Sequence, residues 1–292
     1  MTGVVDLALV VLSYNSATDL QACLQSVAVA DNGPEEIVVV DNASTDGSVT
    51  IIRAISETLS LKVKLLALGG NLGCAGGNNV GWRETNANFV VFLNPDTEVD
   101  PGFFNALRQS FHSDDIGVVG ARIRYPGSNV LQHAGGFVHP NGMTGHYGNG
   151  KTDSSEFHVE RDVAYVTGAG FAIRRTLLCE LGGFREEFFP AYFEEVDLCT
   201  RAWRLKMRVV YNPTVTLMHK ESVSLGVDSE RFRRLYQRMR IRYLLLNLRW
   251  HEWRKAIGFE KWWWQQPFSK GHRAEQVRAY WEGLLWKLGL IK

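Results

Sequence analysis

The sequence predicts an α/β protein: a mainly parallel central sheet flanked by helices, followed by a helical C-terminal extension. Short apolar runs alternate with stretches of helical period from Leu7 to Arg124, which is the order of βαβ units and hence of parallel strand pairing. The runs are continuously apolar instead of alternating, as strands covered on both faces must be. Beyond about Asp228 they give way to long helical stretches rich in Arg and Trp. The 292 residues are therefore divided into a domain of residues 1–227 and an extension of residues 228–292.

Leu7 to Leu12 is the first run, and Ser16-Ala17-Thr18-Asp19 is a capping-box-like start to a helix with Leu20, Leu24 and Val27 on one face. Ile37 to Val40 repeats the run, Ser44 is the expected cap of a helix through Ile51, Ile52 and Ile55, and Val63 to Leu68 is a third strand. Asn71 to Trp82 is glycine-rich and then helical. A strand over Phe89 to Leu93, a helix over Phe103 to Phe111 and a strand over Val118 to Arg124 follow. From Pro126 to His158, Gly, Asn and His dominate without helical period, so loops and short strands, mobile and facing a substrate, are expected. Order returns with Ala164 to Thr167, a turn at Gly168-Ala169-Gly170, Phe171 to Ile173 and a short helix near Leu177. A helix from about Glu195 and a strand over Val209 to Tyr211 complete the domain.

Composition narrows the function classes. A hydrophobic content of 45% with 22% charge supports a sizeable core, and a net charge of +1 gives no general argument for nucleic acid as a partner. Cys23, Cys74, Cys179 and Cys199 lie far apart without a C-x-x-C pair, so they read as reduced core or helix residues of a cytoplasmic protein. The N-terminus lacks a basic segment and breaks its apolar run at Asp6 and Ser13, which reads as a first strand and not a signal peptide. No stretch has the roughly 18 apolar residues of a membrane-spanning helix.

In open parallel sheets ligands bind beyond the carboxyl ends of the strands, where loops and helix N-termini converge. Those ends carry Ser13-Tyr14-Asn15, then Asp41-Asn42, then the glycine-rich stretch Gly69 to Asn79, then Asn94-Pro95-Asp96. Asp41, Ser44 and Asp46 also read as plain helix caps. As a set, however, a carboxylate at Asp41 could accept a hydrogen bond from N3–H of uracil or thymine. The glycine-rich stretch, with Asn71, Gly73, Gly76 and Asn78, has neither the G-K-[ST] of a Walker loop nor the position of a dinucleotide fingerprint, and suits a sugar or ribose contact. Asp96 lies where a diphosphate across the strand ends would sit, and a hard divalent cation takes carboxylate and phosphate oxygens together. Asn-Pro-Asp is equally good chemistry for a solvated turn.

A second acidic cluster, Glu194, Glu195 and Asp197, opens a helix. Carboxylates are favoured there by the helix dipole alone. Phe188, Phe189, Tyr192 and Phe193 precede it and would desolvate an acid, raising its pKa and suiting it to act as a base. His219 ends an apolar stretch downstream and becomes a metal ligand only beside a diphosphate site.

The ordered segments "VVLSYN", "VVVDNASTDGS", "NLGCAGGNN", "FLNPDTEVDPGFF" and "YFEEVDLCTRAWRLKMRVVYNP" resemble the family-2 inverting glycosyltransferases of the GT-A fold, over roughly Leu7 to Ser224. The resemblance implies that Asp41 meets a pyrimidine base with help from Ser13, Tyr14 and Asn15, and that Asn42 and the glycine-rich residues complete the donor site. It implies that Asp96 meets a metal, Mn2+ or Mg2+, and the diphosphate. The family often has Asp-x-Asp here, and this chain has Asn94 at the first position. The family's base lies in a Glu-Asp pair at the position of Glu194-Glu195, so Glu195 is the expected base, with Glu194 the runner-up. Asp197 and Arg201 are expected to support that helix, and Gly168, Ala169 and Gly170 to form the wall near the acceptor. Similar members include rhamnosyltransferases of O-antigen and cell-wall assembly, which use dTDP-rhamnose. The implied reaction moves a sugar from a dTDP- or UDP-sugar to a glycan or polyprenyl-diphosphate-linked acceptor in cell-envelope polysaccharide synthesis.

From Arg231 to Lys255 the extension has nine Arg or Lys against one Glu, and "FEKWWWQQPF" follows. Basic residues with interfacial tryptophans suit peripheral contact with the inner face of an anionic cytoplasmic membrane; packing on the domain, or a homodimer interface, are the alternatives. Two other classes compete for the whole chain. A sugar-phosphate nucleotidylyltransferase would need a Gly-rich basic first loop, where this chain has "SYNSATD". A non-catalytic carbohydrate- or nucleotide-binding descendant would explain Asn94 and Glu195, but not the retention of Asp41, Asp96 and a carboxylate pair.

Overall fold

The computed structural model describes residues 6–59, 61–221, 229–266 and 273–291. The boundary at 227/228, Ser224, Asp228, and Pro267 and Phe268 of the Trp-rich stretch lie outside the described residues. The chain runs β1 (Leu7–Ser13), α1 (Leu20–Val29), β2 (Glu36–Asp41), α2 (Ser48–Thr58), β3 (Val63–Ala67), α3 (Gly73–Arg83) and β4 (Phe89–Leu93). It continues with β5 (Thr97–Val99), α4 (Phe103–Ser110), β6 (Ile116–Arg124), β7 (Leu131–His133), β8 (Gly136–Val138), β9 (Thr144–His146), β10 (Arg161–Asp162) and β11 (Gly170–Arg174). Helices α5 (Arg175–Leu181) and α6 (Glu194–Arg204), strand β12 (Arg208–His219), and helices α7 (Glu230–Asn247), α8 (Trp253–Gln265) and α9 (Arg273–Lys287) follow.

The main sheet is ordered β10-β12-β6-β11-β4-β1-β2-β3. Strands β3, β2, β1 and β4 are parallel neighbours, as the alternating sequence pattern predicts. Strand β11 lies antiparallel between β4 and β6, while β12 pairs parallel to β6. The sheet is thus mainly parallel with one strand reversed in its middle. Alternate residues of β1 face opposite layers: Leu7, Leu9 and Val11 pack with α1, α2 and α4, and Val10 packs with α3, α5 and α6. Burying each such side chain contributes about 1.5–3 kcal/mol.

Helix starts differ from the expected caps. Helix α2 begins after Gly47 in a left-handed conformation, and Ser44 instead accepts the Asn15 N–H at 2.9 Å. Ala164 to Thr167 is not a strand; Tyr165 alone makes a bridge, to Gly136. The run over Val209 to Tyr211 is the start of a longer strand that passes Asn212-Pro213 through an irregularity and reaches His219. The Gly- and His-rich excursion is packed down, with Leu131, Ala134 and Phe157 in the core and β8 and β9 forming a hairpin. Helix α7 joins the same core through Met239, Ile241, Tyr243 and Leu244, and its Tyr243 hydroxyl meets Thr200 Oγ1 at 2.9 Å.

Candidate active site

Parallel pairing of β1 with β2 sets Ser13 opposite Asp41 at the carboxyl edge of the sheet. Both are buried. Asp41 Oδ2 accepts the Ser44 N–H at 3.0 Å, while Asp41 Oδ1 and Ser13 Oγ are enclosed without a partner among the described residues. A buried polar group left unpaired costs about 1–3 kcal/mol, so these two atoms are the ones a bound ligand would satisfy. Tyr14, half exposed, stands at the rim. The neighbouring amides are occupied by the scaffold. Asn15 Oδ1 accepts the Thr45 N–H at 2.8 Å. Asn42 donates to Asn71 Oδ1 and to the Gly73 carbonyl and accepts from Leu72. Asn42 and Asn71 thus brace the start of α3.

Gly73 at that start has φ +72°, and a Cβ there would lie 2.8 Å from the Phe189 ring and the Pro190 carbonyl. Only glycine meets both conditions. The close approach lets the Cys74 N–H donate to the Pro190 carbonyl at 2.8 Å, pinning α3 to the segment before α6. Gly76 is buried against Leu72, and Asn78 is half-buried two residues further on.

Asn94-Pro95-Asp96 is a turn closed by the Thr97 N–H and Oγ1, which both donate to the Asn94 carbonyl. The turn sets the Asp96 side chain beside the end of β12. Strand β5 pairs antiparallel with the end of β12, setting Thr97 against His219, and so brings His219 Nε2 to 3.1 Å from Asp96 Oδ1. His219 Nδ1 lies 2.7 Å from Gln132 Oε1. Among the described residues no group of three or more His, Cys, Asp or Glu side chains converges on one point. The protein therefore offers a carboxylate oxygen, the hard donor that Mn2+ or Mg2+ takes together with diphosphate oxygens, and beside it an imidazole nitrogen that suits Mn2+ better than Mg2+.

The Asn94 N–H donates to the Ala169 carbonyl at 3.1 Å, and the backbone of the adjacent Gly168 lies near enough to the Glu195 carboxylate to favour its charged form. The Gly168-Ala169-Gly170 turn therefore joins the Asp96 turn to the carboxylate pair. Glu194 and Glu195 open α6 after Tyr192 and Phe193, both in left-handed backbone. Burial pushes the Glu195 carboxyl up to about 7, against hydrogen bonds from its own N–H and that of Gly168. Burial and then the Glu195 charge raise Glu194 well above the ordinary range, and its Oε2 has no partner among the described residues. Desolvation by the aromatic surroundings thus outweighs the helix dipole. Asp197, fully buried, accepts from Arg185 at 2.9 Å, Arg201 at 2.7 Å and Asn247 at 2.8 Å, and Arg201 also donates to the Leu181 and Gly183 carbonyls. That pair anchors α6.

Sequence reasoning missed three participants. Cys74, read as a reduced core or helix residue, lies beside the carboxylate pair, and burial followed by the Glu194 and Glu195 charges keeps it protonated. Gln132 and Glu221 adjoin His219 through Gln132 Nε2, 3.2 Å from Glu221 Oε2. The apolar frame around Leu131-Gln132-His133 was the available signal for a strand there.

The sequence matches the family described as Glycosyl transferase family 2 over residues 8–182. One curated relative is the N-acetylglucosaminyl-diphospho-decaprenol L-rhamnosyltransferase of Mycobacterium tuberculosis, 28% identical over 252 residues that cover 76% of this chain and 78% of the relative. Another is the low-salt glycan biosynthesis hexosyltransferase Agl10 of Haloferax volcanii, 28% identical over 241 residues, 80% of this chain and 71% of the relative. The mannosyltransferase PcManGT of Pyrobaculum calidifontis, solved in complex with GDP-Man and Mn2+, has a similar fold, with TM-score 0.64 at 17% identity over 100% of this chain and 77% of that one. With the family match reaching from β1 into the Gly182 end of α5, and a sheet whose carboxyl edge gathers the residues above, the chain belongs to glycosyl transferase family 2 and is a glycosyltransferase of the GT-A fold.

Proposed function

We propose that the protein is an inverting glycosyltransferase that moves a sugar, rhamnose from dTDP-rhamnose or a hexose from a UDP-sugar, to a glycan or polyprenyl-diphosphate-linked acceptor in cell-envelope polysaccharide synthesis. The observation that carries this reading is the pair Glu194-Glu195. Its environment makes Glu195 a carboxylate able to take a proton near neutral pH, and the turn beside it holds the Asp96 loop through the Asn94 N–H. Ser13 Oγ and Asp41 Oδ1, buried and without a partner among the described residues, support a pyrimidine whose N3–H would satisfy the carboxylate.

In this reading the acceptor hydroxyl oxygen attacks the anomeric carbon on the face opposite the nucleoside diphosphate, the bond to the diphosphate oxygen breaks, and Glu195 takes the hydroxyl proton. Glu194, still protonated, adds no second negative charge beside the nucleophile. Asp96 and His219 would hold a divalent cation, which when bound offsets charge on the diphosphate. Exposed Trp250, Trp262, Trp281, Leu284 and Leu288 on and around α8 and α9 support contact with a membrane carrying a lipid-linked acceptor. None of the helices among the described residues is long and apolar enough to cross one, and the reading implies work at the inner face of the cytoplasmic membrane. A thermal-shift panel of UDP-, dTDP- and GDP-sugars with and without Mn2+ tests the donor side, because a ligand that binds only the native state raises its melting temperature. Stabilisation by UDP- or dTDP-sugars, strengthened by Mn2+, is expected; preference for GDP-sugars refutes the role given to Asp41.

A further inference from the structure

The hydrogen-bond chain that joins His219 to Glu221 through Gln132 has its sense fixed at the Glu221 end. Glu221 is a carboxylate and can only accept; its Oε2 lies 3.2 Å from one end of the Gln132 amide, which is therefore the NH2 end. The opposite end, Oε1, can only accept, and it lies 2.7 Å from His219 Nδ1, so Nδ1 carries a proton. Nε2 is then the ring atom turned to Asp96 Oδ1, 3.1 Å away; that carboxylate can only accept, so without a cation Nε2 donates to it, and an ion bound there takes the place of that proton. Nothing in this arrangement depends on choosing an amide orientation arbitrarily, because Glu221 fixes it. Gln132 is buried on β7, which pairs with β6, so the amide is held by the sheet as well as by Glu221.

We propose that Gln132, oriented by Glu221, is a positioning residue of the cation site: it fixes His219 as the tautomer whose Nε2 lone pair faces the ion beside Asp96. The proposal rests on the reading in which Asp96 and His219 hold that ion. A histidine ligand needs its lone pair on one ring nitrogen and its proton on the other, and the partner of that proton sets both tautomer and ring angle. Losing such a partner weakens metal affinity by about 10–100-fold. Gln132 is placed to be that partner, and neither it nor Glu221 touches the ion.

Titration of Mn2+ into the full chain with UDP present, reading free Mn2+ by electron paramagnetic resonance, tests this. Gln132→Met, which keeps the volume, is expected to weaken Mn2+ binding about tenfold or more. Glu221→Gln, at an exposed position, is expected to shift it in the same direction by less. Added to His219→Ala, Gln132→Met is expected to cause no further loss, because its effect passes through His219. The thermal shift given by UDP alone should persist in each variant, which reports that the fold and nucleotide site are intact. In 15N spectra of the Mg2+-loaded protein, His219 should have a protonated Nδ1 and an unprotonated Nε2. Unchanged Mn2+ affinity in Gln132→Met, a full additional loss on the His219→Ala background, or the opposite tautomer overturns the proposal. Failure of the unaltered protein to bind Mn2+ overturns the cation reading itself.

Discussion

Replacing Glu195 by Gln moves two observables in opposite directions. Burial pushes the Glu195 carboxyl from an ordinary 4.5 to about 7, and each tenfold in proton affinity is about 1.4 kcal/mol. The difference corresponds to about 3 kcal/mol, reduced to about 2 kcal/mol because the residue is only half-buried and solvent screens part of the effect. The sign follows from proton counting. Below the ordinary carboxyl pKa both folded and unfolded chains hold the proton. Between the two pKa values the unfolded chain releases it and the native state keeps it, so stability falls as pH rises, and the full penalty is present above about 7. Gln carries no such penalty. Glu195→Gln should match the unaltered protein near pH 4 and exceed it at about pH 8 by about 2 kcal/mol, roughly 4 °C in Tm. Transfer should fall by roughly 10²- to 10⁴-fold, with binding of the nucleoside diphosphate preserved. The assays are melting curves from acid to alkaline pH and a radiolabelled sugar-transfer assay. Parallel Tm–pH curves refute the desolvation argument; transfer near the unaltered rate refutes the base.

Asp41→Ala should weaken UDP and dTDP binding by about tenfold, the loss of one charge-assisted hydrogen bond, as isothermal titration would measure; unchanged affinity removes Asp41 from base recognition. Asp197→Ala leaves Arg201 buried without its carboxylate and should cost about 3–5 kcal/mol in urea unfolding, whereas a loss below about 1 kcal/mol would return the pair to the rank of a surface bridge. The α7–α9 surface should bind vesicles containing phosphatidylglycerol and not pure phosphatidylcholine vesicles, with affinity falling as salt is raised. Equal binding to both vesicle types would assign the exposed tryptophans a purely apolar role.

The parallel half of the sheet was legible because its code is local. Continuous apolar runs, helical periods between them and polar residues at the carboxyl ends each report on their own few residues, and β1 to β4 pair as those patterns require. What escaped depends on pairings between distant segments. Strand β5 has three residues and no period to read, yet its pairing with Leu217 to His219 is what brings His219 to Asp96. Asn212-Pro213 reads as a strand end, because proline cannot donate to a ladder. The chain passes it where the pairing with β6 shifts register, with Asn212 Oδ1 accepting the Thr214 N–H at 2.9 Å. The site residues divide along the same line. Asp41, Asp96 and Glu195 announce themselves as acids at element ends, while nothing in the sequence signals that the side-chain oxygens of Asn15, Asn42 and Asn71 brace the neighbouring loops.

That division bears on Asn94, where the family's acid is replaced by an amide. Its backbone carries the load that is visible: the N–H reaches Ala169 and the carbonyl receives the N–H and Oγ1 of Thr97. None of these bonds uses the side chain, so the turn that presents Asp96 does not require an acid at position 94. The charge lost there leaves Asp96 as the carboxylate of the pair with His219. In the proposed reading, with one anionic ligand instead of two, a cation would be held more by the diphosphate and by the orientation of His219. It follows that Mn2+ binding in this protein should depend on the nucleoside diphosphate more steeply than in relatives with two acids, and that the orientation of His219 gains weight as the acid count falls.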